Sequence, residues 1–202
     1  MNVEQIYKDA NALLEGHFLL ASGNHSARYL QSAKVLEDPK RAELLSNALA
    51  KLIKESGIRV DTVCAPAIGG ILAGYELARA LGVRSIFVEK KEGGMELRRG
   101  FEITKGENIL ICEDIITTGG SAMKASLAIE ELGGNVVAFA SLANRGFCKR
   151  VGSDINTKPE CKLSSDIPLF ALDDFTFEMY APNECPICKT EKTEAIKPGS
   201  KS

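Results

Sequence analysis

The stretch Ile109-Leu-Ile-Cys-Glu-Asp-Ile-Ile-Thr-Thr-Gly-Gly-Ser121 decides the fold. Ile109 to Cys112 is an apolar run that reads as a buried parallel strand. It stops at two adjacent carboxylates, Glu113 and Asp114. Two more apolar residues, Ile115 and Ile116, lead into Thr117, Thr118, Gly119, Gly120 and Ser121, which are small and rich in donors. A helical pattern begins at once, with Ala122, Leu127, Ala128 and Leu132 on one side and Gly133 at the end. Strand, acidic pair, small-residue loop and helix start, in that order, build a ribose-phosphate site at the carboxyl end of a parallel strand.

The residue types follow from the chemistry. Backbone N–H groups of a Thr/Gly/Ser loop can converge on one phosphate, and the following helix adds its positive N-terminal dipole. The carboxylates, one step earlier, can accept hydrogen bonds from vicinal sugar hydroxyls or hold a hydrated Mg²⁺. A lone Gly-Gly before a helix is often only a turn, and Glu-Asp at a strand end is often solvated. The thirteen residues together are far more specific, because four independent features fall in order. No Lys follows the glycines, so this is not a Walker loop, and Gly-x-Gly-x-x-Gly is absent.

Outward from this block the chain alternates. Asp38-Pro39 caps and opens a helix whose stripe is Leu44, Leu45, Ala48, Leu49, Leu52 and Ile53, ended by Gly57. Val60 to Ala65 reads as a strand, Ile68 to Leu81 as a loop turning into a helix closed by Gly82, and Arg84 to Glu89 as the next strand. Lys90 to Gly100 is polar, rich in Gly and charge, and has no apolar period. A further strand is expected at Asn135 to Leu142. This alternation predicts an α/β fold with a central parallel sheet flanked by helices.

At 202 residues the chain fits one domain. A net charge of −2 gives no sign of a nucleic-acid partner, so an anionic substrate must be held by a local cluster of cations. No apolar run approaches a membrane span, and Met-Asn-Val-Glu-Gln has neither a basic start nor an apolar signal core, so no membrane partner and a cytoplasmic location are expected. In that compartment the 6 cysteines should mostly be thiols. Cys64 and Cys112 lie at the ends of apolar strands and read as core. Cys185-Pro-Ile-Cys188 with Cys148 and Cys161 offers four thiolates to a structural zinc, but one Cys-x-x-Cys is a weak signal, and unligated thiols are the default. His17 and His25 are the only histidines; both read as satisfied structural side chains, and no residue is assigned as a metal ligand. Lys189 to Ser202 has little apolar content and reads as a loose end.

Glu113 to Ser121 resembles the phosphoribosyl-pyrophosphate signature of the type I phosphoribosyltransferases. Phe18-Leu-Leu-Ala-Ser-Gly-Asn-His-Ser-Ala-Arg-Tyr29, Pro66-Ala-Ile-Gly-Gly70 and Asn144-Arg145 narrow the resemblance to the orotate branch of that family. It spans roughly residues 10 to 182. What it implies is a type I phosphoribosyltransferase fold with a small N-terminal hood. The expected division is a single domain over 1–182, with the hood at about 1–36 and the core at about 37–182, then a tail at 183–202 carrying Cys-x-x-Cys.

The resemblance also implies a reaction: ribose 5-phosphate moves from phosphoribosyl pyrophosphate to a ring nitrogen of orotate, with Mg²⁺ as cofactor, in a homodimer with shared active sites. Glu113 and Asp114 would face the ribose hydroxyls. Ile115 and Ile116 lead into Thr117, Thr118, Gly119, Gly120 and Ser121, which would hold the 5-phosphate. Ala65 to Gly70, with Ala67 in contact, would wrap the pyrophosphate. Thr117 and Arg145 would contact orotate, Arg145 by matching its guanidinium fork to the carboxylate. Lys90 and Lys91, with Asp114, are the expected catalytic groups, and Arg98 or Arg99 the second choice among loop cations. Many members carry Lys-x-x-Lys-x-His-Gly in that loop, whereas Glu89 to Gly100 has no His. Many also carry Lys where this chain has Ala21. A purine acceptor, or a sensor of phosphoribosyl pyrophosphate without turnover, shares the signature. The hood segment and Arg145 favour orotate, and the absence of a basic patch disfavours a regulator of nucleic acid.

Overall fold

In the computed structural model, which describes residues 1–20, 22–190 and 193–198, the expected alternation is present. Helix α1 (Val3–Asp9), strands β1 (Leu13–Leu19) and β2 (His25–Leu30) and helix α2 (Ser32–Leu36) come first. They are followed by α3 (Pro39–Glu55), β3 (Thr62–Pro66), α4 (Gly70–Leu81), β4 (Arg84–Lys91), β5 (Gly94–Leu97) and β6 (Asn108–Ile116). The last are α5 (Gly120–Glu131), β7 (Asn135–Asn144), β8 (Leu169–Asp174) and α6 (Pro186–Thr190).

The chain divides into two units. The larger, Leu36–Phe175, holds a six-stranded sheet in the order β5-β4-β3-β6-β7-β8. All neighbours in it are parallel except β5, which returns antiparallel on β4 at the edge. β3 is buried at every residue, and β6 and β7 along most of their length, as strands covered on both faces require. Chain order reverses between β3 and β6: β3 connects through α4 to β4 on one side, and β6 through α5 to β7 on the other. Such a switch point leaves a crevice at the carboxyl ends of the two strands. Asp38 caps α3 as expected, its Oδ1 accepting from the N–H of Lys40 at 2.9 Å.

Three expectations need correction. β6 does not stop at Cys112 but runs through both acids to Ile116, because β7 supplies parallel partners as far as Ile116↔Asn144. The stretch from Lys90 is not a structureless loop. β4 extends to Lys91, and β5 pairs with it, Lys90↔Met95 and Lys91↔Gly94, so the basic residues stand on a β-hairpin whose Met95 is buried. Cys148 and Cys161 are not thiols but a disulfide, with Cα atoms 5.2 Å apart. That removes them from any four-thiolate zinc site. Cys64 and Cys112 are fully buried, as expected of core residues.

The smaller unit joins Met1–Val35 with Thr176–Ser202. β1 and β2 form an antiparallel hairpin with an irregularity between Glu15 and Phe18. Residues 176–190 and 193–198, which the sequence divides between the end of the core and a tail, run beside this hairpin. His25 and Tyr180 exchange both backbone hydrogen bonds, at 2.8 and 2.9 Å. Ile196 bonds to Leu19 and His17 in the same way, each at 2.8 Å. Tyr7 is fully buried, with its hydroxyl 2.8 Å from that of Ser32. Ala21, where a lysine was noted as common, lies outside the described residues, as do 191–192 and 199–202 of the expected loose end. No helix among the described residues is long and apolar enough to cross a membrane.

Candidate active site

At the switch point the loop after β3 lies directly against the acids of β6. A Cβ on Gly69 would sit 3.3 Å from Asp114 Oδ1. One on Gly70 would sit 2.9 Å from the Cys112 carbonyl and 3.1 Å from Glu113 Oε2. At Gly70 the strand backbone leaves no room for a Cβ, and at Gly69 a Cβ would press on the Asp114 carboxylate, so glycines let this loop lie close against β6. Ala67 is tied across the sheet by its N–H to the Val88 carbonyl at 2.8 Å, and its peptide bond to Ile68 is cis. Ile68 is almost wholly exposed at the loop tip.

Beyond Ile116 the chain turns through Thr117 and Thr118 to Gly119, whose φ of +78° places it in the left-handed region at the start of α5. Gly119 is buried under Leu163. A Cβ there would meet Leu163 Cδ2 at 2.4 Å. The Thr118 carbonyl accepts from the N–H of Lys162 at 2.7 Å. The segment carrying the Cys148–Cys161 disulfide thus braces the small-residue loop from behind.

A cleft of about 370 Å³ joins this loop to the hairpin. It is lined by Lys90, Lys91, Thr117, Thr118, Gly120 and Ser121, all expected site residues, and by Lys124 on α5. Lys124 was missed: a lysine on an amphipathic helix is ordinarily solvated, and nothing local marks it. Arg98 and Arg99 are outside the cleft lining and are held in exposed ion pairs, with Glu96 and Glu89 respectively, both at 2.7 Å. A second cleft, of about 310 Å³, lies at the disulfide segment and contains none of the expected residues.

Arg145 does not line the 370 Å³ cleft. Its N–H donates to the Ile116 carbonyl at 2.8 Å, which ties it to the residue before Thr117. Its Nε donates to the Phe175 carbonyl at 3.1 Å, and the residue is 6% exposed. The neighbouring Asn144 amide donates to the Cys148 carbonyl and to Asp174 Oδ1, at 2.8 and 2.7 Å, fixing the chain direction after β7.

The acids are electrostatically strained. Burial pushes the Glu113 carboxyl up to about 8, with Asp114 beside it adding to the rise and Lys90 opposing it. Burial also raises Asp114, against backbone N–H donors that pull it down. Two such carboxyls, packed round by protein yet only half-buried at the carboxyl end of β6, are suited to a cation or to several hydroxyl donors. They are hard oxygen donors and fit Mg²⁺.

The phosphoribosyl transferase domain family matches residues 32–166. An orotate phosphoribosyltransferase from Sulfurovum sp. is 77% identical over 201 residues, covering 100% of each chain. The chain belongs to the orotate phosphoribosyltransferases. An orotate phosphoribosyltransferase from Sulfurimonas denitrificans is 69% identical over 100% of this chain and 99% of its own. The fold is also that of a crystal structure of orotate phosphoribosyltransferase from Aeropyrum pernix, with TM-score 0.69 and 22% identity over 85% of this chain and 92% of that one. An adenine phosphoribosyltransferase structure has TM-score 0.64 at 24% identity over 85% and 99% of the two chains. At these identities the structural likeness speaks for the fold alone.

In this orotate phosphoribosyltransferase family member the raised acids give a testable pH dependence. A carboxyl near 4.5 when unfolded and about 8 when folded adds stability that is complete below the lower value. That contribution is lost as pH rises through the higher one. The melting temperature of the ligand-free protein is therefore expected to fall between about pH 4.5 and pH 8, and Glu113→Gln should flatten the decline. Calorimetry across that range checks it; an equal slope in the variant would reassign the titration to other groups.

Proposed function

We propose that the chain transfers ribose 5-phosphate from 5-phosphoribosyl 1-pyrophosphate to orotate, giving orotidine 5′-monophosphate and pyrophosphate, a step of pyrimidine biosynthesis. The observation that carries this reading is the acidic pair of β6, set between the glycine loop after β3 and the lysine-lined Thr/Gly/Ser cleft. The names of full-length relatives at 60–77% identity support the acceptor.

The ring nitrogen of orotate attacks the anomeric carbon as the bond to pyrophosphate breaks, through a transition state with oxocarbenium character. No protein nucleophile is needed. The chain's work is to orient the two reactants and to stabilise charge growing on the leaving group. Glu113 and Asp114 receive the ribose hydroxyls and would hold Mg²⁺. When bound, the ion neutralises pyrophosphate oxygens. Thr117 to Ser121 hold the 5-phosphate by N–H and hydroxyl donors, assisted by Lys124 and the α5 N-terminus. Ala67 and its loop meet the pyrophosphate. Lys90 and Lys91 bring positive charge to it from the hairpin. Thr117 and Arg145 meet orotate, the guanidinium on its carboxylate.

A homodimer that shares active sites, the hairpin of one subunit serving the other, follows the family resemblance. A donor carrying several phosphate charges stays in the compartment that makes it, which favours the cytoplasm.

Loss of orotate absorbance that requires phosphoribosyl pyrophosphate, Mg²⁺ and orotate together, with pyrophosphate released, is the expected result of the direct assay. Turnover of adenine or hypoxanthine in place of orotate would overturn the acceptor assignment. Lys91→Ala and Arg145→Ala are each expected to lose about 10²–10³-fold in turnover. Mixed dimers of the two inactive parents should recover activity, and none in verified heterodimers would sink the shared-site reading.

A further inference from the structure

The smaller unit holds a group of side chains with no part in the chemistry above. His17 on β1, His25 on β2, Cys185 just before α6 and Cys188 in its first turn each offer one ligand atom, and these four atoms lie within 4.8 Å of one another. Cys188 Sγ is 3.3 Å from His25 Nδ1 and 3.5 Å from His17 Nε2. Cys185 Sγ is 3.5 Å from the same His17 nitrogen. The two ring nitrogens are 2.8 Å apart. We propose that these four residues form a structural Zn²⁺ site of the Cys₂His₂ type, which clamps the segment around α6 to the β1–β2 hairpin.

The geometry fits. Zinc binds imidazole nitrogen at about 2.0–2.1 Å and thiolate sulfur at about 2.3 Å, so a tetrahedron of such ligands has edges of about 3.3–3.8 Å. Three of the four sulfur–nitrogen edges already have that length. The nitrogen–nitrogen edge is a hydrogen-bond distance and needs to open by only about 0.5 Å to meet the zinc geometry.

The protonation state fits as well. His17 Nδ1 lies 2.7 Å from the Thr193 carbonyl oxygen, which can only accept. That nitrogen therefore carries the proton, and Nε2 presents its lone pair to the cluster. A backbone carbonyl behind a ligating imidazole is the usual way of fixing its tautomer.

The choice of ion follows from the donors. Two thiolates and two imidazoles in a tetrahedral arrangement select zinc over hard cations. Four protein ligands leave no open position, so the ion holds structure and carries out no reaction. Cys185 is fully buried and His17 nearly so, which sets them apart from casual surface neighbours.

The location supplies the need. The unit has only about sixty residues, drawn from both ends of the chain, and units of that size bury too little apolar surface to be secure without a staple. The backbone pairs His25–Tyr180 and Ile196 with Leu19 and His17 flank the cluster, so the ion would lock a ladder already in register. The competing use of Cys185-Pro-Ile-Cys188 is a redox pair closing to a disulfide, and the test separates the two.

The full chain, purified without chelator under reducing conditions, is expected to contain one zinc per chain by elemental analysis. After removal of zinc and titration with Co²⁺, it should develop the visible d–d and thiolate-to-cobalt absorption of a tetrahedral site. Cys188→Ser and His25→Gln should each weaken Zn²⁺ affinity by more than about 100-fold, beyond the cost of losing a supporting hydrogen bond. A chelator should lower the melting temperature of the parent but not of the variants. The cobalt titration uses the parent protein, so it decides the question even if a variant fails to fold. Zinc-free protein with no cobalt spectrum under reducing conditions, or a native mass showing a Cys185–Cys188 disulfide, would overturn the site.

Discussion

Asp114→Asn is expected to lower kcat/KM by about 10²–10³-fold, or about 2.7–4 kcal/mol of transition-state stabilisation, while the protein stays folded. The two side chains have the same shape, so the close fit of Gly69 over Asp114 Oδ1 is kept. What is lost is a negative charge at the carboxyl end of β6. Burial already raises this carboxyl, so the charge is costly to the ligand-free fold, and a neutral amide relieves that cost. The variant should therefore melt no lower than the parent at pH 8, while turning over far more slowly. This split, stability kept and rate lost, distinguishes a group that meets substrate from one that only holds the strand. Steady-state kinetics and calorimetry on the same preparation measure both, and unimpaired turnover would remove Asp114 from the machinery.

Gly119→Ala is the second large effect, and it acts through geometry. At φ +78° a residue with Cβ pays about 1–2 kcal/mol for the left-handed conformation. The new methyl also strikes Leu163, and overpacking of that kind costs about 1–3 kcal/mol. Together these should lower the melting temperature by roughly 5–15 °C in a protein of this size. They should also raise KM for phosphoribosyl pyrophosphate, since in the proposed site the same residue aims the N–H groups that hold the 5-phosphate. Adding Leu163→Ala should return part of the stability by removing the collision, but not the cost of the backbone conformation. A double-mutant cycle reads that coupling directly. Strict additivity would mean that Leu163 does not press on the loop.

The elements that sequence reading placed well are those whose signals are local. Asp38-Pro39 announces α3 because cap and first-turn chemistry lie within three residues. The block from Ile109 to Ser121 announces a strand, a loop and a helix because hydrophobic period and turn residues change abruptly there. Signals that depend on a distant partner were not legible. Glu113 and Asp114 look like a strand end, and only the presence of β7 alongside carries β6 on to Ile116. β5 hides in a charged segment because Met95 alone marks its buried side. Within the site, the acids and the Thr/Gly/Ser loop could be read in advance. The contact of Gly69 and Gly70 with the acids, and the arrival of Lys124, depend on how α4 and α5 pack against the sheet. The meeting of His17 with Cys185, 168 residues away, has no counterpart in any local pattern.

That separation also sets a timetable for making the molecule. Residues 36–175 form an uninterrupted run and have all their sheet partners as soon as they emerge. The hairpin of residues 13–30 does not. At a synthesis rate of about 5–20 residues per second it waits roughly 10–30 s for residues 176–198 to be translated. Throughout that interval strand edges that later pair with Tyr180 and Ile196 stand open on the nascent chain, the situation in which unpaired strands find wrong partners. The larger unit can thus mature before residues 176–198 emerge, whereas the smaller one must wait for them, and its assembly competes with whatever else can capture an exposed strand.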